Sequence, residues 1–180
     1  DAGWGDEFFR GAMMTIAIAM LAFLVSLVFG TLFAAAKLSS SRILRLVATV
    51  YTTVFRGVPE LLVIYLVFFG GGALLRTIAS GLFGYDGYVE PHTFVIGVFC
   101  IGISAGSYST EVIRGAVQSI PLGQLEAARA IGMSRWLRFH RVLVPQAARF
   151  AIPGLTNVWQ LILKDTSLIS VVGLVEIMRT

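Results

Sequence analysis

The 26 residues from Gly11 to Ala36 contain no charged side chain, and no other stretch constrains the fold as strongly. A helix that crosses a bilayer needs roughly 20 predominantly apolar residues, so this run is long enough to span one. The rest of the chain is of the same kind. Of its 180 residues 57% are hydrophobic and 13% charged, with a mean hydropathy of +0.84, too apolar for an ordinary water-soluble domain. The expected fold class is an all-α integral membrane protein with several helical spans in one domain over residues 1–180.

Three further runs read as spans. Leu46 to Leu75 is apolar except for Arg56 and Glu60, and is broken by Gly57 and Pro59. Proline lacks the donor that a helix interior requires and disfavours helix at the preceding residue. This run therefore reads as an interfacial approach helix to about Phe55, a kink, and a span over about 59–75. Thr93 to Thr110 is 18 uncharged residues holding Gly102 and Gly106, small residues four apart that let a neighbouring helix pack closely in lipid. Phe150 to Leu163 is only 14 uncharged residues, followed by Lys164 and Asp165 and ten more apolar or hydroxyl residues. The four spans are expected at about 12–36, 59–75, 93–110 and 150–175.

Orientation follows from basic charge. Lys37, Arg42 and Arg45 follow the first span, and six arginines lie between Arg114 and Arg149, whereas the segment from Gly71 to Pro91 has only Arg76. Connectors rich in Lys and Arg stay in the cytoplasm, so the N-terminus and the 71–91 connector are expected outside. The net charge of +4 is small and clustered, which argues for membrane orientation rather than nucleic-acid binding. The chain begins at Asp1 without a methionine or a basic leader, so no signal peptide is expected.

Against this background, Ser119 to Pro145 (SIPLGQLEAARAIGMSRWLRFHRVLVP) is a charged insertion. Pro121 suits a first helical turn, Gln124 to Ala130 are good helix formers, and Gly132 stands where a left-handed residue ends a helix. Ser134 can cap a second short helix, Trp136 to Val144, that Pro145 stops. Alanines 127, 128 and 130 leave one side of the first helix nearly bare. Two readings are open: a water-exposed elbow that docks a partner, or an amphipathic connector resting on lipid headgroups.

Few residues can carry chemistry. The chain has no phosphate-binding glycine loop of the P-loop type, and energy for any transport must come from a partner. His92 and His140 are far apart and lack the spacing of a metal site, so no metal is expected. The one cysteine, Cys100, lies in an apolar run and reads as a packed small hydrophobe. Arg56 and Glu60, and Glu111 and Arg114, read as ion pairs at the membrane edge. Asn157, Trp159 and Gln160 lie within the short fourth span, where polar groups face the protein interior or a water-filled cavity, so two readings are open: hydrogen bonding between helices, or lining a pathway. Lys164-Asp165-Thr166-Ser167 can break one helix and cap the next, and broken helices near the midplane are where transporters place substrates. Asp165, Thr166, Ser167, Asn157, Gln160 and Glu60 are therefore the candidate substrate-pathway residues.

The order and spacing of Glu126, Ala127, Ala128, Gly132 and Pro145 resemble the loop of permease subunits of bacterial ATP-binding-cassette importers. The resemblance extends through Tyr51–Leu62 (YTTVFRGVPELL), Ser109–Pro121 (STEVIRGAVQSIP) and Asn157–Leu174 (NVWQLILKDTSLISVVGL). It is greatest to the polar amino acid branch, and within it to the histidine/arginine/ornithine and octopine/nopaline permeases. It implies a translocation subunit and not an enzyme, in the bacterial inner membrane, with a cytoplasmic coupling helix in the 119–145 loop where Glu126, Ala127, Ala128, Arg129, Gly132 and Pro145 meet an ATPase. It further implies an ATP-binding subunit dimer that holds ATP and Mg, a second identical or homologous permease subunit, and a periplasmic or extracellular substrate-binding protein. This chain itself would bind no cofactor, and the substrates would be polar, most readily basic, amino acids or opines. Members of that family usually carry one more span than the four read here, so either the chain is truncated or its last span lies outside it. A channel or self-sufficient carrier would show internal repeats, and an intramembrane enzyme would need an acid, base or metal constellation; the sequence shows neither.

Overall fold

The computed structural model describes residues 4–66 and 93–167. In chain order its helices are α1 (Trp4–Leu38), α2 (Arg42–Gly57), α3 (Glu60–Tyr65), α4 (Thr93–Gln118), α5 (Leu122–Ala130), α6 (Arg135–Arg138) and α7 (Val144–Asp165), with a π-helical turn, Phe139–Leu143, between the last two. There is no strand among the described residues. The 71–91 connector, His92, the second half of the 59–75 span and everything after Ser167 lie outside the described residues.

Helix α1 is apolar on every side. Ile18, Ala19, Ala22, Ser26 and Ala34 are buried, while Met13, Ile16, Met20, Leu24, Val28 and Leu32 form an exposed stripe. A helix that is hydrophobic all round belongs in a core or a membrane. Residues Phe8–Leu38 and Phe94–Gln118 are each long and apolar enough to cross a bilayer. Four spans were expected, and among the described residues these two meet that test. Helix α3 is described for only six residues, and α7 carries Gln146, Arg149, Asn157, Gln160, Lys164 and Asp165 along its length, which lowers its hydropathy.

Lipid is as apolar as leucine, so close backbone approach rather than hydrophobic burial holds membrane helices together. That is how α1 meets α4. A Cβ on Gly102 would stand 2.6 Å from Val25 Cγ1, one on Gly106 2.8 Å from Phe29 Cβ, and one on Gly30 2.6 Å from Ser109 Cβ. Beside them the buried hydroxyls of Ser26 and Ser109 share a 2.7 Å hydrogen bond. The pairs advance together along both helices, so α1 and α4 run parallel. Helix α7 returns antiparallel: Trp159 packs edge-on against Phe23 near the middle of α1, while Ala147 and Ala151 share an apolar slot with Leu38 and Ala34 at its end. Ile18, Ala22, Val98, Ile101, Ala105, Val158 and Ile162 make the core of this three-helix unit, and Cys100 is buried close by.

Helix α2 is anchored by Tyr51, whose hydroxyl donates to the Ile103 carbonyl at 2.6 Å and whose ring stacks on Phe33 at 4.1 Å. It ends at Gly57. Val58 (φ −102°, ψ 132°) and Pro59 (φ −57°, ψ 132°) are extended, and α3 starts afresh at Glu60, as expected where proline disfavours helix at the residue before it.

Candidate functional site

Two regions carry the polar groups. The first is the segment between α4 and α7. Pro121 stands at the N-cap of α5, where its missing donor costs nothing. At the other end the Met133 amide donates to the Ala128 carbonyl at 3.1 Å and the Gly132 amide to Arg129 at 2.9 Å, the double bond of a Schellman turn. Gly132 has φ 76°, which glycine adopts without the steric penalty of a Cβ. Ser134 then caps α6, accepting from the Leu137 amide at 3.3 Å.

From there the chain departs from expectation. Pro145 does not stop a helix but sits in the first turn of α7, a position that uses no donor. The π-helical turn Phe139–Leu143 makes the join, so α6, the turn and α7 form one continuous, bulged helix. Gln146 Nε2 donates to Gln124 Oε1 at 2.6 Å and ties α5 to the start of α7. Glu126, Ala127, Arg129, Ala130, Gly132 and Pro145 are exposed. Ala128 instead is buried against its own chain, so the bare alanine face is divided. Leu122, Ile131 and Trp136 are each at least 70% exposed, and Trp136 packs against the edge of His140 at 4.0 Å. The elbow therefore presents apolar and charged groups together on one surface.

The second region runs along α7 where α2, α3 and α4 face it. Asn157, Leu161 and Asp165 recur every four residues and share one side of α7. The Glu60 carboxyl at the start of α3 is within hydrogen-bonding reach of the Asp165 carboxyl, and Asp165 Oδ2 is buried without a hydrogen-bond donor among the described residues. Two carboxyls so placed beside an apolar span can hold each other by sharing one proton, or can face a positive charge. Nearer the α5 end, the Arg56 guanidinium lies 5.4 Å over the Tyr108 ring.

Glu60 therefore pairs with α7 and not with Arg56, contrary to expectation. The two extended residues at Val58 and Pro59 break the helical register that would have put Arg56 and Glu60 on one face. Glu111 does pair with Arg114, at 2.9 Å, and it also holds Lys37 from the end of α1. Nothing in the spacing announced this cross-helix bridge, nor the Arg56–Tyr108 contact.

Helix α7 runs to Asp165, and Thr166 after it is still right-handed helical (φ −57°, ψ −31°); the break and recapped helix expected from Lys164–Ser167 fall at and beyond the edge of the described residues. Thr166 is buried, and its hydroxyl donates to the Leu163 carbonyl at 2.8 Å, as that of Ser167 does to Lys164 at 2.7 Å. Both hydroxyls satisfy carbonyls of the helix end. Gln160 is exposed on the neighbouring side of α7, and Trp159 faces α1. Of the six candidate pathway residues, Glu60 and Asp165 meet, and Asn157 lines the adjoining groove with Arg56 and Tyr108.

Residues 26–179 match the family described as binding-protein-dependent transport system inner membrane component. The chain is 71% identical over its full length to the nopaline transport system permease protein of Agrobacterium fabrum, of which it covers 76%. It is 52% identical over 98% of its length to the octopine transport system permease protein of Rhizobium radiobacter, covering 74% of that protein. To the histidine/lysine/arginine/ornithine transport system permease protein of Escherichia coli it is 36% identical, again over 98% of its length and 77% of the relative. The crystal structure of an amino acid ABC transporter with histidines superposes with a TM-score of 0.79 at 31% identity, covering 98% of this chain and 76% of that one.

Proposed function

The chain belongs to the family of binding-protein-dependent transport system inner membrane components, and from that premise we propose that it conducts guanidino opines and basic amino acids past Glu60 and Asp165. It is an inner-membrane permease subunit of an ATP-binding-cassette importer and not an enzyme, and such a subunit works with an ATP-binding subunit and a substrate-binding protein.

The observation that carries the substrate reading is the carboxyl pair. Glu60 and Asp165 come from different helices and are brought face to face beside an apolar core. Carboxylates within a membrane are costly unless they are paired or serve a pathway, and a cationic head group can take the place of the proton that the two carboxyls share. The names of the relatives agree: nopaline, octopine, lysine, arginine and ornithine each carry a cationic end and a carboxylate.

The finer parts of the assembly follow the same reading. The exposed elbow of α5 and α6 docks in the ATPase, which holds ATP and Mg, and Glu126, Arg129 and Gly132 carry the coupling. A second permease subunit, identical or homologous, completes the pathway, and the N-terminus faces outward.

The test is uptake by the complete assembly in proteoliposomes, with labelled nopaline, octopine, L-arginine and L-histidine compared with L-leucine. Uptake of the guanidino compounds well above L-leucine is expected. Preference for L-leucine refutes the substrate assignment and leaves the family unaffected.

A further inference from the structure

Between α2, α4 and α7 lies a groove of about 340 Å³ lined by Arg56, Tyr108, Glu111, Gly154, Asn157 and Leu161. Gly154 sets its floor, because a Cβ there would stand 2.7 Å from Val112 Cγ1 and only glycine lets α7 approach α4 so closely. The charge in the groove is not balanced. Glu111 is already neutralised by Lys37 and Arg114, and no carboxylate of the described residues lies within ion-pairing distance of Arg56. Arg56 lies over the face of Tyr108, a contact that seats the guanidinium beside the groove but consumes none of its N–H donors. The Asn157 side chain, which can both donate and accept, borders the same space.

We propose that Arg56, seated on Tyr108 beside Asn157, is a carboxylate-binding subsite that takes the acid end of a substrate whose cationic end meets Glu60 and Asp165. The subsite rests on the cationic-substrate reading given above and adds the feature that orients the molecule. A guanidinium offers a planar fork that matches a carboxylate bidentately. The spacing fits as well. Asn157 and Leu161 precede Asp165 by two turns and one turn of α7, roughly 12 and 6 Å along its axis, a distance that an extended arginine-sized molecule spans. A substrate bound this way lies along α7 with its cation toward the α3 end and its carboxylate toward the α5 end. The two-ended requirement separates amino acids and opines from simple amines.

Equilibrium binding to the purified permease–ATPase assembly in detergent, without the binding protein, isolates this site. The probes are labelled L-arginine and nopaline, which carry carboxylates, and agmatine, which is arginine without one. Arg56→Gln is expected to weaken L-arginine and nopaline by at least about tenfold, as loss of a charge-assisted contact does, and to leave agmatine within about twofold. Asp165→Asn is expected to weaken all three. Agmatine thus doubles as the control for folding. Equal loss of all three probes in Arg56→Gln, or no loss of any, overturns the subsite while leaving the cationic-substrate reading in place. Wild-type protein that binds none of the three overturns that reading and the subsite together. Should the Gln variant fail to assemble, Arg56→Lys decides by the same comparison: selective weakening of the carboxylate-bearing probes supports the subsite, and uniform behaviour overturns it.

Discussion

Among single residues, Gly132 and Glu111 show how differently a small change can act. Nothing stands within 4 Å of a Cβ placed on Gly132, but its φ is 76°, so Gly132→Val has room and the wrong backbone. A left-handed conformation costs an ordinary L-residue about 1–2 kcal/mol, and the strain falls on the elbow and not on the packed helices. ATPase stimulation by substrate-loaded binding protein is expected to drop severalfold in Gly132→Val, with normal membrane insertion and expression. The same assay applied to Glu126→Arg tests the reversed charge at the docking surface; normal stimulation in both would remove the elbow from the coupling path. Glu111 is the opposite case, since its value lies wholly in its partners. Glu111→Gln leaves Lys37, whose side chain is 13% exposed, without its countercharge, and a loss of about 1–3 kcal/mol is expected. It is read as a lower midpoint for heat-induced loss of the monodisperse assembly. An unchanged midpoint would show that the bridge between α1 and α4 contributes nothing.

For the elements, the decisive feature is the break at Val58 and Pro59, because it sets the direction of Glu60. Proline at this place was legible in the sequence, and so was the kink. The partner of Glu60 was not, since a four-residue spacing suggests Arg56 only if the helix continues, and two extended residues intervene. Pro59→Ala permits helix through the junction, and successive helical residues turn by about 100°, which carries residue 60 away from Asp165. In a Cys100→Ala background, cysteines at 60 and 165 should therefore cross-link readily with Pro59 in place and much less with Pro59→Ala. Equal yields would mean that the break does not position α3. The reading of Pro145 failed for a related reason: a proline that ends one helix and a proline that begins another look alike in sequence. The π-helical turn before it has no signature in residue spacing. By contrast Gly102 and Gly106 were read correctly as a close-packing face, because small residues four apart have one main use in lipid. Their partners, Val25 and Phe29, could not be named without the fold.

At the scale of the molecule, α1, α4 and α7 pack together as one unit, and the elbow and the Glu60–Asp165 region lie at different places along it. Helix α7 joins them. It begins at the elbow, where Gln146 bonds Gln124, and ends at Asp165. On the proposed reading, a movement imposed on the elbow would be carried along α7, past Pro153 in its interior, to the carboxyl pair. The membrane character and the charged elbow were legible because apolar length and basic clusters are properties of the sequence itself. The Glu60–Asp165 region was legible only in part, since Asp165 stood out as a carboxylate within an apolar stretch but its neighbours come from two other helices. The outward N-terminus is tested by impermeant labelling of single cysteines in the Cys100→Ala background, and rapid labelling at Ser134 from outside would reverse the orientation.

That the transported cation passes the Glu60–Asp165 pair is tested most directly by Asp165→Asn in the complete assembly, with ATP-driven uptake of labelled L-arginine and nopaline measured across a concentration series. The amide keeps the shape and one oxygen and removes the charge. A fall of about tenfold or more in uptake at low substrate, with the assembly intact by size-exclusion chromatography, is the expected result. Unchanged affinity and rate for both substrates would mean that Asp165 only finishes α7 and that the pathway runs elsewhere.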